Sequence, residues 1–266
     1  MARLLWYGSN RDLIVFSVRQ TVGKAMAKNA IVIGASSGIG FALTEALLTR
    51  SFAVGACSRH LEPLQILEEK FSRRRCLVQR MDVTQIEEAS LTLEALIGKL
   101  GDVQLIILNA GVGHLNPKLD WKLEEEVLRT NVLGFTALAT LAAKYFEQRG
   151  GGRLVGISSI SALRGSRHAI SYAASKAYIS HYLEGLNQRF VHGGLPIVAT
   201  DVQPGFVDTP MARKLQRRVW VATPEKAAEQ ILDAAEKRRR QVYITRRWAL
   251  VAWLFKIMPR PLYSRM

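Results

Sequence analysis

Seven short runs rich in Val, Ile and Leu, alternating with longer stretches of helical spacing, constrain this chain more than any other feature. The runs fall at 30–34, 52–57, 76–81, 103–109, 153–158, 197–202 and 242–245. The helical stretches fall at 39–50, 61–71, 86–100, 121–148, 171–190 and 224–237. Nearly continuous apolar runs mark strands covered on both faces, and parallel strands need crossovers to bring the chain back. The alternation therefore predicts an α/β fold, a doubly wound parallel sheet in three α/β/α layers. With 48% apolar residues in a chain of 266, one sizeable core is affordable. No repeat, low-complexity segment or linker divides it. The expected organisation is one domain over 28–245, an N-terminal arm over 1–27 outside the folded core, and a basic-aromatic tail over 246–266.

The first run leads into Gly34-Ala35-Ser36-Ser37-Gly38-Ile39-Gly40 and then a helical stretch. Glycines at a strand-to-helix turn let the backbone approach a pyrophosphate, whose charge the helix N-terminus answers. That makes the expected sheet Rossmann-type, although the glycine spacing is not the common GxGxxG. A glycine turn that only packs a helix on a sheet is the alternative. At the end of the second run an NAD site would place an acid on the adenosine ribose. The chain reads Ser58-Arg59-His60 there, with no acid. A serine hydroxyl and a guanidinium suit a 2′-phosphate, so NADP(H) is favoured over NAD(H).

Tyr172 and Lys176 stand four apart in a helical stretch, hence on one face. A tyrosine titrates near pH ~10, and a neighbouring ammonium favours its phenolate, as a general acid/base at neutral pH requires. Ser159 falls at a strand's carboxyl end, where open α/β sheets bind ligands. A lone Tyr-x-x-x-Lys is common by chance; the surroundings give it weight.

Together these residues resemble the short-chain dehydrogenase/reductase family over roughly 28–245. Gly34, Gly38 and Gly40 match its glycine motif, with Ser36, Ser37 and Ile39 inside the same turn. Asp82, followed by Val83, matches the acid that contacts the adenine. Asn109-Ala110-Gly111 matches the second half of an Asn-Asn-Ala-Gly signature whose first asparagine is here Leu108. Asn131 matches the helix asparagine that organises a proton-relay water, and Ser159, Tyr172 and Lys176 match the remaining catalytic set. Pro204-Gly205, Val207 and Thr209 match the segment holding the nicotinamide carboxamide. The resemblance implies hydride exchange between a nicotinamide and a carbonyl/alcohol carbon. Tyr172 would be the acid/base, Lys176 would lower its pKa and hold the ribose, and Ser159 would polarise the carbonyl. It also implies a homodimer or homotetramer through 121–148 and 171–190.

The formal net charge is +15, and from 209 to 266 the chain carries 14 Lys/Arg against 4 Asp/Glu. Such an excess suits an anionic partner or a solvated basic face. The apolar stretch 248–258 is far shorter than the ~20 residues of a membrane-spanning helix. Tryptophans beside arginines suit a peripheral membrane contact; packing on the protein's own substrate side or on another subunit is the alternative. No nucleic-acid motif accompanies the charge, so no nucleic acid is expected. Cys57 and Cys76 have no CxxC or histidine partners, so no metal is expected. Two lone cysteines suit a reducing compartment, and a cytoplasmic protein, peripheral to a membrane in the tail reading, is expected. Residues 1–27 are basic and poor in acids, as transit peptides are, and Met26 opens a phrase that reads as a natural start to a strand. The leading functional expectation is a ketone reductase for a lipophilic or bulky substrate. A 3-oxoacyl carrier-protein reductase and a non-catalytic cofactor sensor or scaffold are the alternatives.

Overall fold

The computed structural model describes residues 28–213 and 219–264. The arm expected over 1–27 lies outside the described residues. Seven parallel strands form one sheet: β1 (Asn29–Ile33), β2 (Ala53–Ser58), β3 (Cys76–Arg80), β4 (Val103–Leu108), β5 (Gly152–Ile157), β6 (Ile197–Pro204) and β7 (Gln241–Ile244). Their order is β3-β2-β1-β4-β5-β6-β7. The predicted Rossmann-type sheet is what the chain forms.

Successive residues of a strand point to opposite faces, so unbroken apolar runs feed two cores. In β1, Ala30 and Val32 pack with α1 (Gly38–Thr49), α2 (Glu62–Phe71) and α8 (Pro224–Glu236). Ile31 and Ile33 pack on the other side with α3 (Ile86–Leu100), α5 (Phe135–Arg149) and α6 (Ile170–His192). The cysteines behave as small core residues. Cys57 and Cys76 are buried and unpaired, and burial pushes their thiols up to about 12 and about 11.

The stretch predicted as one helix over 121–148 is three segments. Helix α4 (Trp121–Val127) runs through a π-helical turn, Leu128–Gly134, into α5. The wider turn carries Asn131. Beyond the predicted elements lie a 3₁₀ turn, Ile160–Leu163, and three further helices: α7 (Pro210–Arg213), α9 (Trp248–Ile257) and α10 (Arg260–Tyr263).

The strand order reverses direction at β1. Connections from β1 leave toward β2 on one side, while β4 flanks it on the other. The loops after β1 and β4 therefore diverge and leave a crevice at the strands' carboxyl ends.

Candidate active site

That crevice opens into a cavity of about 810 Å³ along the carboxyl edge of the sheet. At its floor the turns after β1 and β4 nearly touch. Gly34 has φ +86°, and a Cβ there would lie 2.5 Å from the Ala110 nitrogen. Asn109 donates its side-chain amide to the Gly34 carbonyl at 2.7 Å, locking the two turns together. Gly40 allows α1 to sit this close, since its Cβ would fall 2.0 Å from the Gly34 carbonyl oxygen. Ser37, at the N-cap of α1, makes no capping bond with its side chain, and the first turn has no acid. The helix thus presents free N–H groups and its positive end to the cavity.

At the β2 end, Ser58 is buried; its hydroxyl donates to the His60 carbonyl at 2.7 Å and accepts from the His60 N–H at 3.0 Å. Expected as a phosphate donor, Ser58 has its proton spent inside its own turn, and it is Arg59, exposed at the cavity rim, that is free to meet an anion. Asp82 accepts from the Thr84 N–H and hydroxyl at 3.0 and 2.8 Å, which fixes its carboxylate and Val83 at the cavity wall.

At the other end, Ser159 caps the 3₁₀ turn by accepting from the Ser161 N–H at 3.1 Å. Its hydroxyl faces the Tyr172 phenol and favours the phenolate form. Lys176 is buried; its Nζ lies 5.7 Å from the centre of the Tyr172 ring and donates to the Ile157 carbonyl at 2.8 Å. Burial lowers the Lys176 pKa to about 8, opposed by the carboxylate of Asp201. The protein packed around Tyr172 raises its phenol above the ordinary value, and the Ser159 hydroxyl opposes the rise. The expected lowering of Tyr172 by Lys176 is not what this arrangement gives: burial raises the phenol, and what opposes the rise comes from Ser159, not from the lysine.

Asn131 is fully buried in the π-helical turn. Its Oδ1 accepts from the Val112 N–H at 2.9 Å, and its Nδ2 donates to the Val112 carbonyl at 2.8 Å and the Ser175 hydroxyl at 3.0 Å. It positions the Gly111–Gly113 loop rather than lining the cavity. A Cβ on Gly111 would lie 3.3 Å from both Asn131 Oδ1 and Lys176 Nζ. So small a residue lets all three meet.

Of the sequence-predicted residues, Gly40 and Asn131 stand behind the cavity wall; Gly34, Ser36, Ser37, Gly38, Ile39, Ser58, Arg59, Asp82, Val83, Asn109, Ala110, Gly111, Ser159, Tyr172, Lys176, Pro204, Gly205, Val207 and Thr209 all line it. Several contributors lie outside that set. Gly113 lies against the Tyr172 ring, where a Cβ would come within 2.6 Å. His114, which the sequence offers as a pocket-lining residue or, more readily, a loop-surface one, lines the cavity half-buried, with Nε2 2.8 Å from Glu126 Oε2. Phe206 lines the wall and packs edge-on against Trp248 at 5.6 Å. The buried Asp201 accepts from the Ser158 hydroxyl and from Gln203 Nε2. No group of three or more potential metal ligands exists among the described residues.

Comparison with known proteins follows the same lines. The sequence profile described as short chain dehydrogenase matches residues 28–220. An uncharacterized oxidoreductase of Myxococcus xanthus is 30% identical over 242 residues, 89% of this chain and 95% of the relative. A putative ketoacyl reductase of Streptomyces coelicolor is 30% identical over 211 residues, 76% of this chain and 80% of the relative. Among solved structures, a short chain dehydrogenase from Burkholderia cenocepacia in complex with NADP superposes with a TM-score of 0.77 at 24% identity, covering 90% of this chain and 97% of that one. A variant of actinorhodin polyketide ketoreductase with NADPH gives 0.72 at 25% identity, covering 82% and 95%. The chain belongs to the short-chain dehydrogenase/reductase family, and is an oxidoreductase of the kind that interconverts CH–OH and C=O groups.

Proposed function

We propose that this protein is an NADP(H)-dependent carbonyl reductase in which Tyr172 delivers the proton to the substrate oxygen. The observation that carries the reading is the convergence of Ser159, Tyr172 and Lys176 at one end of a single cavity whose other end is the acid-free Ser58–Arg59 turn. The residues fit a dinucleotide. Uncapped N–H groups of α1 suit a pyrophosphate, and the φ values of Gly34 and Gly38, +86° and +53°, let the turn hug it without a side chain in the way.

When bound, the nicotinamide supplies the hydride. Tyr172, held protonated by its surroundings, donates its phenolic proton to the oxygen of the reduced carbonyl. Ser159, whose hydroxyl faces the Tyr172 phenol, holds that oxygen beside it. Lys176, pinned by the Ile157 carbonyl, keeps a positive charge next to the tyrosine as the proton leaves, and would hold the nicotinamide ribose. Asn131 fixes the backbone on which a proton-relay water would rest. Arg59 would meet the 2′-phosphate, Asp82 the adenine, and Pro204, Gly205, Val207 and Thr209 the carboxamide.

The cavity favours an apolar, bulky ketone, because Leu115, Ile160, Phe206 and Met211 are among the residues that line it. A ketoacyl thioester on an acidic carrier is the second reading, supported by the basic surface and by the ketoacyl reductase relative. The exposed Leu133 and Tyr178, on the segments joined through α4, α5 and α6, support a homodimer or homotetramer built on those helices. Titration with NADPH and NADH, then turnover on a panel of ketones and acyl thioesters, tests the reading. Preferential NADPH binding and reduction of an apolar ketone are expected; NADH preference would remove the role given to Arg59.

A further inference from the structure

Helix α9 is apolar apart from Lys256, and its inner side alone is buried against protein. Trp248 and Ala252 are buried on its inner face. Trp248 packs against Phe206 and Trp220 at 5.6 and 5.9 Å, and Gly205 leaves room for its ring. The far end is fastened as firmly. Arg164, just beyond the 3₁₀ turn that follows Ser159, donates to the carbonyls of Phe255, at 2.8 Å, and Met258, and its guanidinium lies 5.5 Å over the Tyr263 ring. The helix is therefore a fixed part of the substrate side and not a loose tail.

Its outer face carries Leu250, Trp253, Leu254 and Ile257, which are 68, 59, 47 and 56% exposed. Their spacing puts them on one stripe. Soluble helices carry charge on such a face, so a stripe of this kind needs a cover. Around it stand Arg246, Arg247, Lys256 and Arg260, and between Arg246 and Ser264 there is no Asp or Glu. That charge pattern selects among covers. A second copy meeting this face about a two-fold axis would set arginine and lysine against themselves, and the segment from Arg246 to Ser264 offers no acid to answer them. An anionic bilayer answers both features at once, because aliphatic and tryptophan side chains enter the headgroup boundary while cations meet lipid phosphates. No helix among the described residues is long and apolar enough to cross a membrane, and at ten residues α9 suits lying in the interface.

We propose that α9 is a docking helix for the surface of an anionic phospholipid bilayer, with the Leu250–Trp253–Leu254–Ile257 stripe inserted and Arg246, Arg247, Lys256 and Arg260 on the headgroups. Since Trp248 joins α9 to Phe206 of the cavity wall, docking sets the cavity beside the bilayer. A carbonyl substrate dissolved in lipid then follows, a consequence that rests on the reductase reading while the docking itself does not.

Vesicle flotation of the full chain tests this without turnover. Phosphatidylcholine vesicles are compared with vesicles of phosphatidylcholine and phosphatidylglycerol. The protein should float with the mixed vesicles, and far less with the zwitterionic ones. The double variant Leu250→Ser/Trp253→Ser, at exposed positions, should bind the mixed vesicles about tenfold more weakly or worse, with its melting temperature and NADPH affinity kept. Lys256→Gln/Arg260→Gln should weaken binding and flatten its salt dependence. Flotation of the apolar double variant equal to wild type would overturn the proposal. So would wild type that stays unbound, or an apolar variant whose only change is the loss of a lipid-free dimer.

Discussion

The buried ammonium of Lys176 donates to the backbone carbonyl of Ile157 at 2.8 Å, so the strand that ends one residue before Ser158 also holds the lysine that faces Tyr172. A second charge lies behind this contact. Asp201, on β6 and paired in register with Gly156 of β5, keeps its carboxylate buried among the Ser158 hydroxyl and the Gln203 amide. Burial drives Lys176 toward its neutral form, and Asp201 drives it back.

A pH dependence follows from that balance. With its pKa lowered to about 8, Lys176 is charged below that pH and neutral above it. Activity that needs the ammonium should therefore fall as pH rises through about 8. In Asp201→Asn the charge favouring the ammonium is gone, the lysine loses its proton earlier, and the alkaline limb of kcat/KM should move to lower pH. A limb that does not move would separate Asp201 from the lysine.

Arg59 should decide between the two cofactors. A guanidinium on a phosphate is a charge-assisted contact worth about 1.5–3 kcal/mol. Arg59→Ala should therefore weaken NADPH binding by about tenfold or more and leave NADH binding unchanged. Fluorescence titration with both cofactors reads this directly, and an equal loss for both would contradict the assignment.

Two glycines of the same chain should respond in opposite ways to alanine. At Gly40 a Cβ would meet the Gly34 carbonyl oxygen at 2.0 Å, and backbone cannot move aside cheaply. Gly40→Ala should cost more than ~2 kcal/mol and abolish dinucleotide binding. At Gly98, exposed within α3, a Cβ would meet nothing within 4 Å. Gly98→Ala should gain up to about 1 kcal/mol, seen as a higher Tm, because glycine is a poor helix former.

These residues also mark where sequence sufficed and where it did not. The sheet was legible because Ala30–Ile33 and Leu105–Leu108 are apolar at every position, a pattern that only strands buried on both faces require. The cavity was legible because Gly34, Ser159, Tyr172 and Lys176 carry their chemistry in residue type and spacing. The π-helical turn was hidden, since its apolar spacing is nearly that of an ordinary helix. What accompanies it is remote in sequence: the bonds of Asn131 to Val112 and the contact of Gly134 with the Val83 carbonyl, where a Cβ would fall 2.4 Å away. Ser58 was misleading for a similar reason. Nothing in the string Ser58-Arg59-His60 says that the hydroxyl closes its own turn. Asp201 and Trp248 reach the site only through tertiary contacts, with Ser158 for one and with Gly205 and Phe206 for the other.

Tyr172→Phe tests the proposed role of Tyr172 as proton donor during carbonyl reduction, since the substitution removes one hydroxyl and keeps the ring against Gly113. Turnover of an accepted ketone with NADPH should fall by about 10²–10⁴-fold while NADPH still binds. Turnover that survives in Tyr172→Phe at the wild-type rate would contradict the account.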